Sequence, residues 1–538
     1  MNEKETRPNI LFAFADDWGR YASAYRPHED ANSINHLIET PNFDRIANEG
    51  ALFTNAFVPA PSCTPCRSSV LSGRYFWQTG LGAILEGAHW DESIPSYPLI
   101  LEQDGYHIGY TYKCWSPGDN INAPYGGDRT RYESAGINFN KFSQVATKNM
   151  KDMTAEEAKI CLLEETRSNY LSFMDSIPSN SPFCYWWGPT NTHRSWERGS
   201  GKTLWNMDPE KLKGRLPDFL PDVEEVREDV NDYLGECIAF DQGLGVIIEE
   251  LEKSGELDNT IIVVSGDHGI PGIPRAKCNL YDLGCEVALA IRWPQEINPG
   301  TISENFVSIM NLASTFLEAG GQKPLPEMAP SLLPLVSKHR RDNGDDWDFV
   351  ITGRERHVAD ARDGYLPYPQ RAIRCKDYLY IRNYEPDRWP MGHPDGAFGL
   401  KSRLSDTDNA NLDEKRSGPK PNDLKKNTRA AFPDCDASPT KEWMIINRKK
   451  ELVTPLYNLA FGKRLGEELF DLNVDPHYMN NVAYDPDYVD IKETLSKKLH
   501  TMLVSSNDPR VTEKSPCEFE LEPYAGTVPK RQSFFQNN

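Results

Sequence analysis

Residues 9 to 17 read N-I-L-F-A-F-A-D-D, a short apolar run bounded by Pro8 and Gly19 and closed by two adjacent acids. A run with no polar break suits a strand buried on both faces of a parallel sheet, where crossover helices cover both sides. The pattern repeats at residues 260 to 269, where T-I-I-V-V-S-G runs into Asp267-His268-Gly269. Ligands of open α/β sheets collect outside the carboxyl ends of the strands, so Asp16, Asp17, Asp267 and His268 are expected to share one crevice. Carboxylates gathered there repel one another unless a cation neutralises them. Three acids suit a hard divalent ion, calcium or magnesium in preference to zinc.

Between the two strands, residues 63 to 74 read C-T-P-C-R-S-S-V-L-S-G-R. A Cys-x-x-Cys pair alone suits a metal clip, a redox pair or two buried thiols, but none of these requires Pro65, Arg67, Gly73 and Arg74 at their offsets. The whole stretch resembles the signature of the sulfatase family, in which the leading cysteine is oxidised after synthesis to formylglycine. The resemblance implies that Cys63 is the precursor of the nucleophile. One hydroxyl of the hydrated aldehyde attacks sulfur and the other later expels sulfate, which divides a difficult displacement into two easier steps. It implies one divalent cation, calcium first, held by Asp16, Asp17, the modified Cys63, Asp267 and His268, with Arg67 helping to hold the hydrate. His268 stands where many members have asparagine, and the softer imidazole nitrogen leaves room for manganese. A formylglycine-generating or anaerobic sulfatase-maturating enzyme is the implied partner for Cys63.

Further residues extend the resemblance. G-Y-H-I-G-Y-T-Y-K-C-W-S-P-G, residues 105 to 118, resembles the family strand that ends in Lys-x-His. Lys113 fits the lysine, able to neutralise a sulfate oxygen, while Trp115 replaces the histidine and offers an aromatic face to a sugar ring. In F-C-Y-W-W-G-P-T-N-T-H-R, residues 183 to 194, His193 matches a sulfate-contacting histidine suited to general acid work. Lys277 fits the second basic residue, with Arg275 as the competing assignment, and the N-L-Y that follows resembles the sulfamidase branch. D-F-V-I-T-G-R-E-R-H, residues 348 to 357, reads as a strand that delivers Arg354 and His357 toward substrate.

The implied fold is α/β and alkaline-phosphatase-like: a large mixed, mostly parallel sheet sandwiched by helices, then a smaller C-terminal antiparallel sheet with one helix. With 538 residues the chain exceeds one hydrophobic core, so a catalytic domain over residues 1–368 and a smaller α+β domain over 369–538 are expected. C-K-D-Y-L-Y-I-R-N-Y, residues 375 to 384, reads as an edge strand, residues 337 to 346 as a surface connection, and residues 404 to 428 as a loosely packed charged insertion. A net charge of -21 argues against nucleic acid but not against an anionic substrate, which meets a local basic pocket. No apolar stretch is long enough for a membrane span. The first residues, M-N-E-K-E-T-R-P-N, contain no apolar signal core, so a cytoplasmic protein, or a periplasmic or secreted one whose export signal has been removed, is expected. Eleven cysteines without regular spacing demand no disulfide framework, though Cys278 and Cys285 lie near enough for one bridge. Together these readings point to hydrolysis of an O-sulfate ester or an N-sulfate on a saccharide or polysaccharide fragment. The alternatives are a phosphonate or phosphate diester hydrolase with the same nucleophile and a non-catalytic glycan-binding relative.

Overall fold

The computed structural model describes residues 7–118, 124–339, 346–396, 421–522 and 524. The first sheet contains β1 (Asn9–Ala15), β2 (Ala51–Phe57), β3 (His107–Tyr112), β4 (Phe183–Gly188), β5 (Thr260–Gly266), β6 (Leu289–Arg292) and β7 (Thr301–Ser308). Their spatial order is β3-β4-β1-β5-β6-β2-β7. β1 is central and parallel to both neighbours, with Leu11 opposite Tyr185 of β4 and Ile262 of β5. Among these strands only β6 runs against its neighbours, so the sheet is mixed and mostly parallel.

The unbroken apolar run of β1 follows from its two buried faces. Ile10, Phe12 and Phe14 join a core with Val70 and Leu71 of helix Cys63–Ser72 and Phe316 of helix Leu312–Ala319. Leu11, Ala13 and Ala15 face the opposite way, into a core with Tyr233, Phe240 and Ile247 of the long helix Glu224–Ser254. Helices therefore cover both faces of β1.

A second sheet joins β8 (Phe349–Arg354), β9 (Gln370–Cys375), β10 (Tyr378–Asn383) and β11 (Glu467–Asp471) in the order β11-β10-β9-β8, antiparallel throughout. Helix Val489–Ser505 buries Leu495, Leu499 and Leu503 in the core that this sheet shares with the first. Their spacing of four places them on one helical stripe. Three expectations change. β8 pairs with β9, so the second sheet begins before residue 369 and the boundary expected at 368/369 falls between paired strands. β10, expected at an edge, lies between β9 and β11. Cys278 and Cys285 are both free thiols, so the bridge between them is not formed. Of the expected charged insertion, residues 404–420 lie outside the described residues, while Pro421–Lys426 is helical; residues 340–345 of the polar connection also lie outside them. Among the described residues no helix is long and apolar enough to cross a membrane.

Candidate active site

Strand ends deliver the site. Asp16-Asp17 follows β1, Lys113 follows β3, His193 lies in the loop after β4, and Asp267-His268 follows β5. Cys63 opens helix Cys63–Ser72, which the chain enters after β2. All these side chains meet at one edge of the sheet, as ligand sites of parallel sheets do.

The turn after β1 is held open by backbone contacts. Asp17 has φ 70, a left-handed conformation that a non-glycine residue keeps only when its surroundings fix it. Here Tyr233 donates its hydroxyl to the Asp17 carbonyl at 2.9 Å, Thr192 donates to the Asp16 carbonyl at 2.6 Å, and the Asp17 amide donates to Asp267 Oδ1 at 2.7 Å. Asp17, Cys63, Asp267 and His268 each offer a ligand atom within 4.8 Å of one another. His268 Nδ1 faces the Gly269 carbonyl at 3.2 Å, which makes it the protonated nitrogen. Nε2 lies 3.3 Å from Cys63 Sγ and 3.2 Å from Asp17 Oδ1. Burial, opposed by Lys277 and His268 and reinforced by Asp16 and Asp267, pushes the Asp17 carboxyl up to about 7. Acids crowded this closely, joined by an imidazole nitrogen, fit a divalent cation. Asp16 belongs to a neighbouring group with Asp17 and His193.

The basic residues surround this cluster. Arg67, fully buried, donates Nε to Asp267 Oδ2 at 2.8 Å, Nη2 to Asp16 Oδ1 at 3.2 Å and Nη1 to the Lys113 carbonyl at 2.9 Å. Lys113 Nζ reaches Asp16 Oδ1 at 2.5 Å, and against burial these two cations hold Asp16 well below the usual carboxylate range. Lys277 Nζ reaches Asp17 Oδ2 at 2.9 Å. Arg275 points elsewhere, stacked 3.7 Å over Tyr281 and bonded to the Tyr478 carbonyl, so of the two only Lys277 lies against the acidic cluster. His193, whose side chain is 34% exposed, bonds through Nδ1 to the Arg194 carbonyl and turns Nε2 toward Asp17 Oδ2 at 3.8 Å. Burial and Lys277 push its pKa down. Burial likewise pushes the Cys63 thiol up, so as a thiol it stays protonated.

Two nominated substrate contacts require correction. Trp115 is 4% exposed, edge-on to Trp90 and bonded through Nε1 to Ser68 Oγ at 2.9 Å, so it is core and presents no face to a sugar. Arg354 is buried with its guanidinium on Asp434 and on the Cys278 carbonyl at 2.5 Å, and it braces a loop instead of meeting substrate. His357 is also buried, but at the site's wall: its Nδ1 is 2.8 Å from Oγ of Ser62, the residue before Cys63, and burial pushes its pKa down to about 3. Sequence reading missed Asp436, whose Oδ2 lies 3.4 Å from Lys277 Nζ. It stands far from every signature in D-C-D, a tripeptide with no distinguishing pattern.

The family model described as Sulfatase matches residues 8–322, more than half of the chain. The human protein named N-sulphoglucosamine sulphohydrolase is 25% identical over 94% of this chain and 91% of its own length. Among solved structures, one described as a complex with its substrate D-glucosamine-2-N,6-O-disulfate superposes with a TM-score of 0.57 at 18% identity, over 94% of this chain and all of that one. The phosphonate monoester hydrolase of Agrobacterium radiobacter superposes with a TM-score of 0.59 at 16% identity, over 93% of this chain and 96% of that one. At such identities the superpositions establish a shared fold.

Proposed function

The chain belongs to the sulfatase family, a family of sulfuric ester hydrolases, and from that premise we propose that it removes sulfate, as O-sulfate or N-sulfate, from a saccharide with Cys63 converted to formylglycine. The observation that carries the proposal is the position of Cys63. It sits at a helix N-terminus, Sγ 3.3 Å from His268 Nε2, ringed by Asp16, Asp17 and Asp267 and by Arg67, Lys113 and Lys277. A thiol there has no second hydroxyl with which to expel sulfate once it has been sulfated, whereas the hydrated aldehyde has one.

Asp16, Asp17, Asp267, His268 and the Cys63 position would hold a divalent cation, with calcium first and magnesium or manganese as the alternatives. When bound, such an ion supplies positive charge against the oxygens of the hydrate and the sulfate. The chain's own residues do the rest. Arg67 locks Asp16 and Asp267 in place and, with its charge, favours ionisation of the attacking hydroxyl. Lys113 and Lys277 grip sulfate oxygens and offset the charge that develops on the leaving atom. The negative charge of a bound sulfate ester or N-sulfate raises the proton affinity of His193, and Nε2 then gives a proton to the leaving oxygen or nitrogen as its bond to sulfur breaks. The second hydroxyl next loses its proton, the C–O bond to sulfate breaks with its electron pair leaving on the sulfate oxygen, and the aldehyde reforms to take up water. The sum is one water consumed, one alcohol or amine released and one hydrogen sulfate ion released.

Intact mass tests the nucleophile: loss of one sulfur and two hydrogens and gain of one carbonyl oxygen lowers the mass by about 18 Da. The experiment uses protein from a host with the maturation machinery. Nitrophenyl sulfate, nitrophenyl phosphonate, N-sulfoglucosamine and N-acetylglucosamine 6-sulfate then form the substrate panel. Cys63→Ala should abolish all turnover with an unchanged melting midpoint. Residual hydrolysis by that variant refutes the mechanism, preference for the phosphonate refutes the reaction class, and binding without turnover points to a non-catalytic relative.

A further inference from the structure

Asp436 has no role in the chemistry above, yet its Oδ2 lies 3.4 Å from Lys277 Nζ. It lies outside the residues that match the family model. Against the cost of burial, Lys277, His193, His357 and Lys441 hold its carboxyl below the usual range, so it is charged. Oδ2 is sealed toward Lys277 and accepts no hydrogen bond from the described residues. The side chain is nevertheless 17% exposed, in a cluster where Cys63, Arg67 and Lys277 are almost closed off. A charged carboxylate is an acceptor only, and leaving it without donors is costly.

The loop that carries Asp436 is fixed on both sides. Before it, Asp434 accepts from Arg354, from Arg362 Nη2 at 2.5 Å and from the Val358 amide at 2.9 Å. Lys441 Nζ donates to the carbonyls of Thr428, Phe432 and Cys435 at 3.2, 3.2 and 2.6 Å. After it, Ser438 accepts from the Lys441 amide at 2.8 Å and donates to the Gly272 carbonyl, in the loop after β5, at 2.7 Å. A carboxylate so braced is preorganised toward the place where Lys277 meets sulfate. A ligand group that reaches Asp436 is therefore carried close to the sulfated atom.

We propose that Asp436 determines specificity by accepting a hydrogen bond from a free hydroxyl of the saccharide next to the sulfated position. The proposal rests on the saccharide reading above and names the part of the sugar that is read. A site built around a charged acceptor rejects an analogue lacking the donor, and it repels a carboxylate or second sulfate placed there.

The test compares kcat/KM on two substrate pairs, N-sulfoglucosamine with its 3-deoxy form and N-acetylglucosamine 6-sulfate with its 4-deoxy form. For the pair that is turned over, the intact protein should prefer the hydroxyl-bearing sugar by about thirtyfold, the scale of one hydrogen bond to a charged group. In Asp436→Ala that preference should fall to near unity, and in the isosteric Asp436→Asn to an intermediate value. If Asp436 only props Lys277, both members of a pair lose rate by the same factor and the preference survives; that result overturns the proposal and leaves the sulfatase reading intact. If nitrophenyl sulfate is hydrolysed but neither saccharide pair is, the saccharide reading fails and the role of Asp436 fails with it.

Discussion

His357 shows how one side chain ties the reactive position to stability. Its imidazole is buried beside Ser62, with Asp434 and Asp436 raising and Lys277 and Arg354 lowering its proton affinity, and burial is the largest effect. An unfolded histidine takes up a proton near pH 6.5, whereas this one resists until about 3. Between those limits the unfolded chain binds more protons than the native one, so stability is full above pH 6.5 and falls as the pH drops toward 3. At pH 4 this one group accounts for about 3 kcal/mol, since each tenfold change in proton affinity is worth roughly 1.4 kcal/mol. His357→Gln should therefore flatten the acid limb of a plot of melting midpoint against pH, while changing little above pH 7. Parallel curves for the two proteins would show that His357 takes up its proton as readily in the fold as in the unfolded chain. At this scale the sequence was legible where chemistry itself fixes the residue type: Cys63, Arg67, Lys113, His193 and Lys277 all gather as their motifs imply. It was opaque for Trp115 and Arg354, because a motif carries no record of how deeply a side chain is buried.

At the scale of elements, two of the strands that build the cleft, β4 and β5, end in glycine for a steric reason. A Cβ on Gly188, at the end of β4, would stand 2.0 Å from the Lys113 carbonyl; one on Gly266, at the end of β5, would stand 2.0 Å from the Trp18 carbonyl. The bare backbone lets the loop after β1 pass beside β5, which brings the Asp17 amide within 2.7 Å of Asp267. Gly266→Ala forces backbone apart where neither side can rotate away. It should lower stability by about 1–3 kcal/mol, the usual cost of overpacking. It should also weaken divalent-cation binding, read by calorimetric titration, because Asp267 moves off its partners. Wild-type cation affinity in that variant would dissociate the strand end from the cation site. The strands of the first sheet were legible because double burial leaves an unbroken apolar run; the sheet to which β8 belongs was not, since strand pairing is set by distant residues and not by the strand's own pattern.

At the scale of the whole molecule, the two sheets share one hydrophobic core. Their apolar side chains form a continuous core from Phe12 of β1 through Phe306 of β7 and Ile351 of β8 to Leu469 of β11. Polar ties reinforce it: Tyr281 donates to Glu468 Oε2 at 2.7 Å, and Arg374 of β9 pairs with Asp282 at 2.8 Å. Arg371 of β9, fully buried, joins Glu355 to Asp508, and Arg510 closes on Glu355, so the end of β8 is locked to residues that follow helix Val489–Ser505. Removing one side of such a buried network leaves uncompensated charge at a cost of about 3–5 kcal/mol. A fragment of residues 1–368 keeps Glu355 without Arg371 and Arg510, and β8 without its partner. That fragment should fail to fold, giving no cooperative melt and strong binding of a hydrophobic dye, although it contains the entire stretch of the family match. The intact protein should melt in one transition, and chelation of its divalent cation should shift that whole transition downward, because a ligand of the native state stabilises everything that unfolds with its site. Two separate melts, with only one sensitive to the chelator, would mean that the sheets unfold independently and that the shared core does not couple them.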